Sequence, residues 1–215
     1  MKVVINSHIK STIALNHLLE SVKEHRFDFC DILVVIGGHY ELDTYQIKKE
    51  DGITYIHANH NSIDYTGLIA LVELYGNTDD HYVYLHDTCT IGSQFQTKLQ
   101  SIDLTNVSTL KINKDFSMNM GIYSQQILRE FHDFLLSKKN TREEDCMKFK
   151  INGQEDYIFH GDKNNKVLDN YSGFIFTGPT DYYATGTMRI VEYYPNLDIY
   201  KIKANWGHGI WTLNN

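Results

Sequence analysis

The chain has 215 residues, a length that suits one domain with a substantial core. Its 42% hydrophobic and 22% charged residues are those of a globular chain and exclude a disordered segment, a collagen-like repeat and a long coiled coil. A formal net charge of −7, with four arginines (Arg26, Arg129, Arg142, Arg189), excludes a protein whose affinity comes from neutralising a nucleic-acid backbone, and leaves eleven histidines as the unusual feature of the composition.

The first half repeats one pattern. A short apolar run is followed by polar residues and then by a segment of helical periodicity. Lys2–Asn6, Asp31–Ile36, Ile53–Ala58 and Tyr82–Leu85 are β-branched or aromatic runs without alternation, the signature of strands buried on both faces of a parallel sheet. Between the first two, Ser11–His25 carries Ile13, Leu18, Leu19 and Val22 at helical spacing behind a Ser11/Thr12 cap. The second and third runs are joined by a polar, glycine-containing stretch with no helical pattern. Before the fourth run, Asp64–Tyr75 carries Leu68, Leu71, Val72 and Tyr75 on one face, with Ser62 as its cap. This is βαβ logic, which predicts right-handed crossovers and a parallel core.

The second half is less regular. A helix is expected over Ser93–Gln100, a strand over Ser108–Ile112 and an amphipathic helix over Ser124–Lys138 with Ile127, Leu128, Phe131 and Leu135 inward. Asn152 to Asn170 reads as loop, and Met188–Tyr193 and Asp198–Ile202 as late strands added antiparallel to the sheet. The expected fold class is therefore α/β, Rossmann-like: a mixed, mainly parallel central sheet of about six strands flanked by helices, in a single domain over residues 1–215. The ending Leu213-Asn214-Asn215, soon after Trp211, suggests the N-terminal part of a longer chain. No apolar run approaches the roughly 20 residues that span a bilayer, and the start turns polar too soon for a signal peptide. A cytoplasmic protein without membrane insertion is expected. Cys30, Cys89 and Cys146 are odd in number and far apart, which fits neither a disulfide framework nor a CxxC zinc site.

In open parallel sheets, ligands bind beyond the carboxyl ends of the strands. There stand Asn6-Ser7-His8, Gly37-Gly38-His39, His57 to Asn61 and His86-Asp87-Thr88, so five of the eleven histidines (His8, His39, His57, His60, His86) fall at one edge. Loop composition explains part of this polarity, not the concentration of imidazoles. Asp87 is the sharpest residue: an apolar strand delivers its carboxylate to the mouth of the crevice. It reads either as a helix cap or as a metal ligand or catalytic carboxylate. If the ligand is a diphosphate, four arginines offer few bidentate clamps, and a divalent cation on Asp87 would take their place. His208, between Gly207 and Gly209, is a second candidate ligand or else a turn histidine; one oxygen and one imidazole favour Mn²⁺ over Mg²⁺. No GxGxxG, GxxxxGK[ST], GxSxG or HExxH pattern is present.

A buried strand ending in an acidic motif at Tyr82 to Thr88, preceded by a βαβ-type half and followed by a less regular half with a late histidine, resembles the GT-A glycosyltransferases. More closely, it resembles the N-terminal glycosyltransferase domains of multidomain chlorovirus proteins that help build capsid glycans. The family's Asp-x-Asp stands here as His86-Asp87-Thr88, with one carboxylate. The resemblance implies that Asn6, Ser7 and His8 cradle the nucleotide, that Asp64 contacts the nucleoside or donor sugar, and that Asp87 and His208 hold the metal. Gly37, His86 and Thr88 are further candidates for contact with the nucleotide, and His86, Thr88, a water or the phosphates would fill the second metal contact. It implies a UDP-sugar donor (UDP-glucose or UDP-rhamnose), a glycan or glycoprotein acceptor, and retention of configuration. Were the reaction inverting, Asp162 or Asp181 would be the candidate base, each also readable as a turn residue. Tyr182, Tyr183, Trp206 and Trp211 are candidate sugar-stacking aromatics. Two other classes stay open: a HAD-like phosphohydrolase, from the Asp87 to Thr90 spacing, and a nucleotide-sugar or glycan-binding module without turnover.

Overall fold

The computed structural model describes residues 1–112, 117–139, 142, 144–145, 157–159, 161–168, 171–178 and 188–206. His208, Asp181, Tyr182, Tyr183, Trp211 and Cys146, singled out in the sequence, lie outside the described residues. The chain divides into two compact units, and each is interleaved in sequence. One comprises Met1–Ile9, Cys30–His86 and Leu104–Leu168; the other Lys10–Phe29, Asp87–Asp103 and Asp169–Asn215.

The first unit is built on an eight-stranded mixed sheet. Its strands are β1 (Lys2–His8), β2 (Asp31–Gly37), β3 (Gln46–Glu50), β4 (Ile53–His57), β5 (His81–His86), β7 (Thr109–Lys111), β8 (Met120–Ser124) and β9 (Asn165–Val167), in the order β3-β4-β2-β1-β5-β8-β7-β9. The four expected strands form the parallel block β4-β2-β1-β5. Val4, Ile5, Val34 and Val35 are fully buried within it, which accounts for runs without alternation. Helices α2 (Thr66–Tyr75), α4 (Gln125–Glu130) and α5 (His132–Lys139) complete this unit, with α2 packed against β1, β2, α4 and α5. Leu68, Ile69, Leu71, Leu128 and Leu135 join Tyr82, Tyr84 and Tyr123 in its core.

Three details differ from the expected pattern. The polar stretch after β2 contains β3, an edge strand exposed along its whole length, turned back through Asp51-Gly52 with both residues at positive φ. Its Lys48 and Lys49 suit an edge that must not pair further. The helix expected over Ser124–Lys138 is broken at Phe131, whose φ of −98° and ψ of 14° depart from helix; Ser124 is its cap, with Oγ accepting from the Ile127 N–H at 3.2 Å. Asp64–Tyr75 likewise begins as a 3₁₀ turn, Ile63–Tyr65, and becomes α-helical only from Thr66.

The second unit holds α1 (Thr12–Glu24), β6 (Cys89–Ile91), α3 (Phe95–Gln100), β10 (Gly173–Thr177), β11 (Met188–Tyr194) and β12 (Ile199–Ala204). The late strands do not extend the main sheet. They form a separate antiparallel sheet, β10-β11-β12-β6, because β12 finds its partner in β6 (Ile199 opposite Ile91, Lys201 opposite Cys89). Helix α1 lies against β6, and Phe27 meets Phe95 at 5.4 Å between ring centres. No helix among the described residues is long and apolar enough to cross a membrane.

Candidate functional site

In the first unit, the carboxyl ends of the parallel strands collect polar side chains that are buried. Asn6 is 2% exposed and Asp64 is 1% exposed, and Ser7, His60 and Asn61 are buried with them. Strand register puts His86 of β5 beside Asn6 of β1, His8 beside Gly37 of β2, and His57 of β4 beside Ile36. The five histidines expected at one edge are all at strand ends or in the loops that follow them in this unit.

Asn6 is a brace for the start of α2. Its Nδ2 donates to the Ile63 carbonyl at 3.0 Å, and its Oδ1 accepts the Gly67 N–H at 2.9 Å. Gly67 is required there, since a Cβ would stand 2.8 Å from the Tyr84 ring and 3.2 Å from Asn6 Oδ1. The braced turn is strained. Ile63 has φ of +55°, a left-handed conformation unfavourable for a β-branched residue, and its N–H is held by Asn61 Oδ1 at 3.1 Å. Strain of this kind persists only where the surroundings over-determine it, and here it sets the position of the next residue, Asp64.

Asp64 is fixed on several sides. The Tyr84 hydroxyl donates to its backbone carbonyl at 2.8 Å, Ser117 Oγ donates to Oδ2 at 3.3 Å, and His86 Nε2 lies 3.4 Å from Oδ1. The His86 side chain is 25% exposed, so the pair runs from the interior to solvent. A buried carboxylate beside a partly exposed imidazole offers an acceptor for ligand hydroxyls and a donor for anionic oxygens.

The other histidines divide by role. Glu41 Oε1 meets His39 Nδ1 at 2.9 Å, and His39 Nε2 meets His57 Nδ1 at 2.9 Å, a carboxylate–imidazole–imidazole chain. Burial, reinforced by the His39 charge, pushes the His57 pKa down. His60 is 6% exposed and neither ring nitrogen has a hydrogen-bond partner; its ring stands edge-on to Tyr45. Burial first, then the Lys139 charge, holds its pKa at about 4 against a small opposing effect of Glu73. His8 packs on Gly38, where φ is +94° and a Cβ would stand 2.5 Å from His8 Nε2. Gly37 is buried at the end of β2.

Asp87 and Thr88 belong to the second unit and form a two-residue turn between β5 and β6. Asp87 is 1% exposed. It is not the cap of α3, whose N-cap is Gln94 with its N–H donated to Asp198 Oδ2 at 2.8 Å. Half-buried Thr88 accepts the Ile202 N–H at 2.9 Å through its carbonyl. Asp162 lies in the first unit in a turn: Oδ2 accepts from Thr109 Oγ1 at 2.9 Å and Oδ1 from the Asn164 N–H at 3.0 Å, the turn-residue reading of that carboxylate. Among the described residues no three His, Cys, Asp or Glu side chains come together as a metal-binding group.

The structure brings together Asn6, Asp64 and His86, named from the sequence, with Asn61, which the sequence placed at the same edge; Ile63, Tyr84 and Ser117, which help position them, had not been singled out. Nothing local in the sequence announces a positive φ at an isoleucine, and Ser117 reaches Asp64 only through the fold. The glycine of Thr66-Gly67-Leu68 is the one signal of close approach that was available.

No protein-family model matches the chain, and no curated protein matches it in sequence. Among solved structures it is similar to the galactosyltransferase LgtC in complex with donor and acceptor sugar analogs (13% identity over 78% of this chain and 73% of that one, TM-score 0.46). It is also similar to an active-site mutant of LgtC (14%, 78% and 72%, TM-score 0.44) and to the glycosyltransferase GlyE of Streptococcus pneumoniae TIGR4 (13%, 78% and 45%, TM-score 0.45). Scores and identities this low do not assign the chain to a family.

Proposed function

We propose that this chain is a GT-A-type glycosyltransferase that moves a hexose from a UDP-sugar to a glycan acceptor with retention, aided by a divalent cation; the resemblance adds a viral-capsid glycan as that acceptor. The observation that carries the reading is the fixed pair Asp64–His86 at the carboxyl ends of the parallel strands, set by a strained turn and two braces. Their place at the carboxyl ends of parallel strands, where α/β folds bind their ligands, supports the reading. A nucleoside offers what they match: hydroxyls for the Asp64 carboxylate and phosphate oxygens for His86.

A cation fits the chemistry of the residues present. Asp87 is a buried carboxylate after an apolar strand, and a hard divalent ion takes one such ligand while substrate oxygens fill other positions. Asp87 and His208 would hold Mn²⁺ or Mg²⁺, whose contribution is to neutralise charge on the departing diphosphate. The chain's own part is positional: Asn6 and Asn61 fix the turn, the turn fixes Asp64, and Asp64 orients His86.

Calorimetric titration of UDP and UDP-glucose, with and without Mn²⁺, tests this on the wild-type chain and on Asp64→Asn and Asp87→Ala. Binding that needs Mn²⁺ and weakens about tenfold or more in each variant is expected. Absence of binding by either ligand, or binding indifferent to both substitutions, would sink the proposal.

A further inference from the structure

The second unit contains a cleft of about 650 Å³ that the donor reading leaves unused; it shares no residue with the Asp64–His86 site. That volume lies within the roughly 300–1,000 Å³ typical of small-ligand pockets. One wall is a face of α1, where His17, Glu20, Ser21, Glu24 and His25 recur at helical spacing. Tyr193 and Tyr200, on adjacent strands, also line the cleft, with their rings stacked on each other at 4.6 Å and 25° between their planes.

The cleft is held in shape from below. Ser21 Oγ accepts the Ile91 N–H at 3.2 Å and donates to the Leu18 carbonyl at 2.7 Å, and Thr90 Oγ1 lies 3.2 Å from His17 Nδ1. Asp198, itself at φ +53°, accepts from the Tyr193 hydroxyl at 3.0 Å and from the Gln94 N–H at 2.8 Å, and its carbonyl takes the Gly92 N–H at 2.7 Å. These groups are engaged with one another. Glu20, Glu24 and His25 are not: among the described residues their side chains have no hydrogen-bond or ion-pair partner, though all three line the cleft.

We propose that this cleft binds a saccharide. Two carboxylates and an imidazole without partners match vicinal hydroxyls, each carboxylate accepting two hydrogen bonds, and the Tyr193–Tyr200 pair adds aromatic surface to the lining for a sugar ring to contact. A polyamine would be drawn by Glu20 and Glu24 and by the tyrosine rings as well, so it serves as the competing ligand in the test. The inference stands without the donor reading, since a saccharide site in the second unit needs no nucleotide.

The test uses the full chain and ligand-observed NMR saturation transfer with maltose, cellobiose and lactose, with spermine as the cationic comparison. At least one disaccharide is expected to receive saturation at about 10 mM, with affinity of the order of millimolar, as wet polar sites give. The double substitution Glu20→Gln and Glu24→Gln, both on the exposed side of α1, is expected to weaken this about tenfold without altering the fold. No transfer to any of the three sugars, transfer unchanged in the double variant, or displacement of the sugar by spermine would each overturn the proposal. UDP titrated in the same samples reports on the first unit separately, so loss of sugar binding with UDP binding intact, or the reverse, tells the two readings apart.

Discussion

His60 shows how one buried residue couples the site to solution conditions. Its imidazole has no hydrogen-bond partner and is held neutral, with a pKa near 4 against 6.5 for an ordinary histidine. Between those values the unfolded chain takes up a proton that the folded chain refuses, so stability falls as pH drops from 6.5 towards 4 and is unaffected above that range. At about 1.4 kcal/mol per pH unit the loss is roughly 3 kcal/mol when complete. His57, pushed down by burial, acts in the same direction. His60→Phe keeps the edge-on ring contact with Tyr45 and cannot titrate. Urea unfolding at pH 7 and pH 4.5 should show a smaller acid loss in the variant than in the wild type; equal losses would mean that His60 is protonated in the folded chain.

At the scale of elements, the junction of β1 with α2 is where fold and site meet. Asn6 supplies both a donor for the Ile63 carbonyl and an acceptor for the Gly67 N–H. Asn6→Ala leaves two backbone groups without partners, at about 1–3 kcal/mol each, and should lower stability by roughly 2–6 kcal/mol. Ile63→Gly should do the opposite to the turn: it relieves a strained φ of about 1–3 kcal/mol, offset in part by the lost side chain of a half-buried residue. Hydrogen exchange of the α2 amides reads both, faster in Asn6→Ala and not faster in Ile63→Gly; slower exchange in Asn6→Ala would refute the brace. The strand runs and the α2 face were legible in the sequence because burial on two faces forces continuous apolar residues, as in Val3-Val4-Ile5 and Leu33-Val34-Val35. The 3₁₀ start of α2 was not, since it is imposed by Asn6 and Asn61 from outside the segment. β3 carried a signal in Asp51-Gly52 between Ile47 and Ile53, hidden by a strand whose residues are all exposed.

Over the whole molecule, the interleaving of the two units in sequence explains what local patterns could not deliver. Strand β12 read correctly as a strand, but its partner β6 is three residues long and lies more than a hundred positions earlier, so the second sheet had no local signature. Fold class was legible at the level of layers, and sheet membership was not. The same interleaving gives a prediction. Ending the chain after Leu168 removes β10, β11 and β12 and with them the buried Val191, Tyr194, Leu197, Ile199 and Ile202. Burial of such side chains is worth about 1.5–3 kcal/mol each, so their loss removes of the order of 10 kcal/mol, comparable to the whole stability of a typical domain. β6 would also lose the hydrogen-bonded partner of Cys89–Ile91 and present an open edge. The truncated chain should be insoluble or cut rapidly by protease within Lys10–Phe29 and Asp87–Asp103, the segments of the second unit that remain. Limited proteolysis with mass mapping checks this: a soluble fragment with a sharp thermal transition and protected α1 would show that the first two segments of that unit hold together without the third.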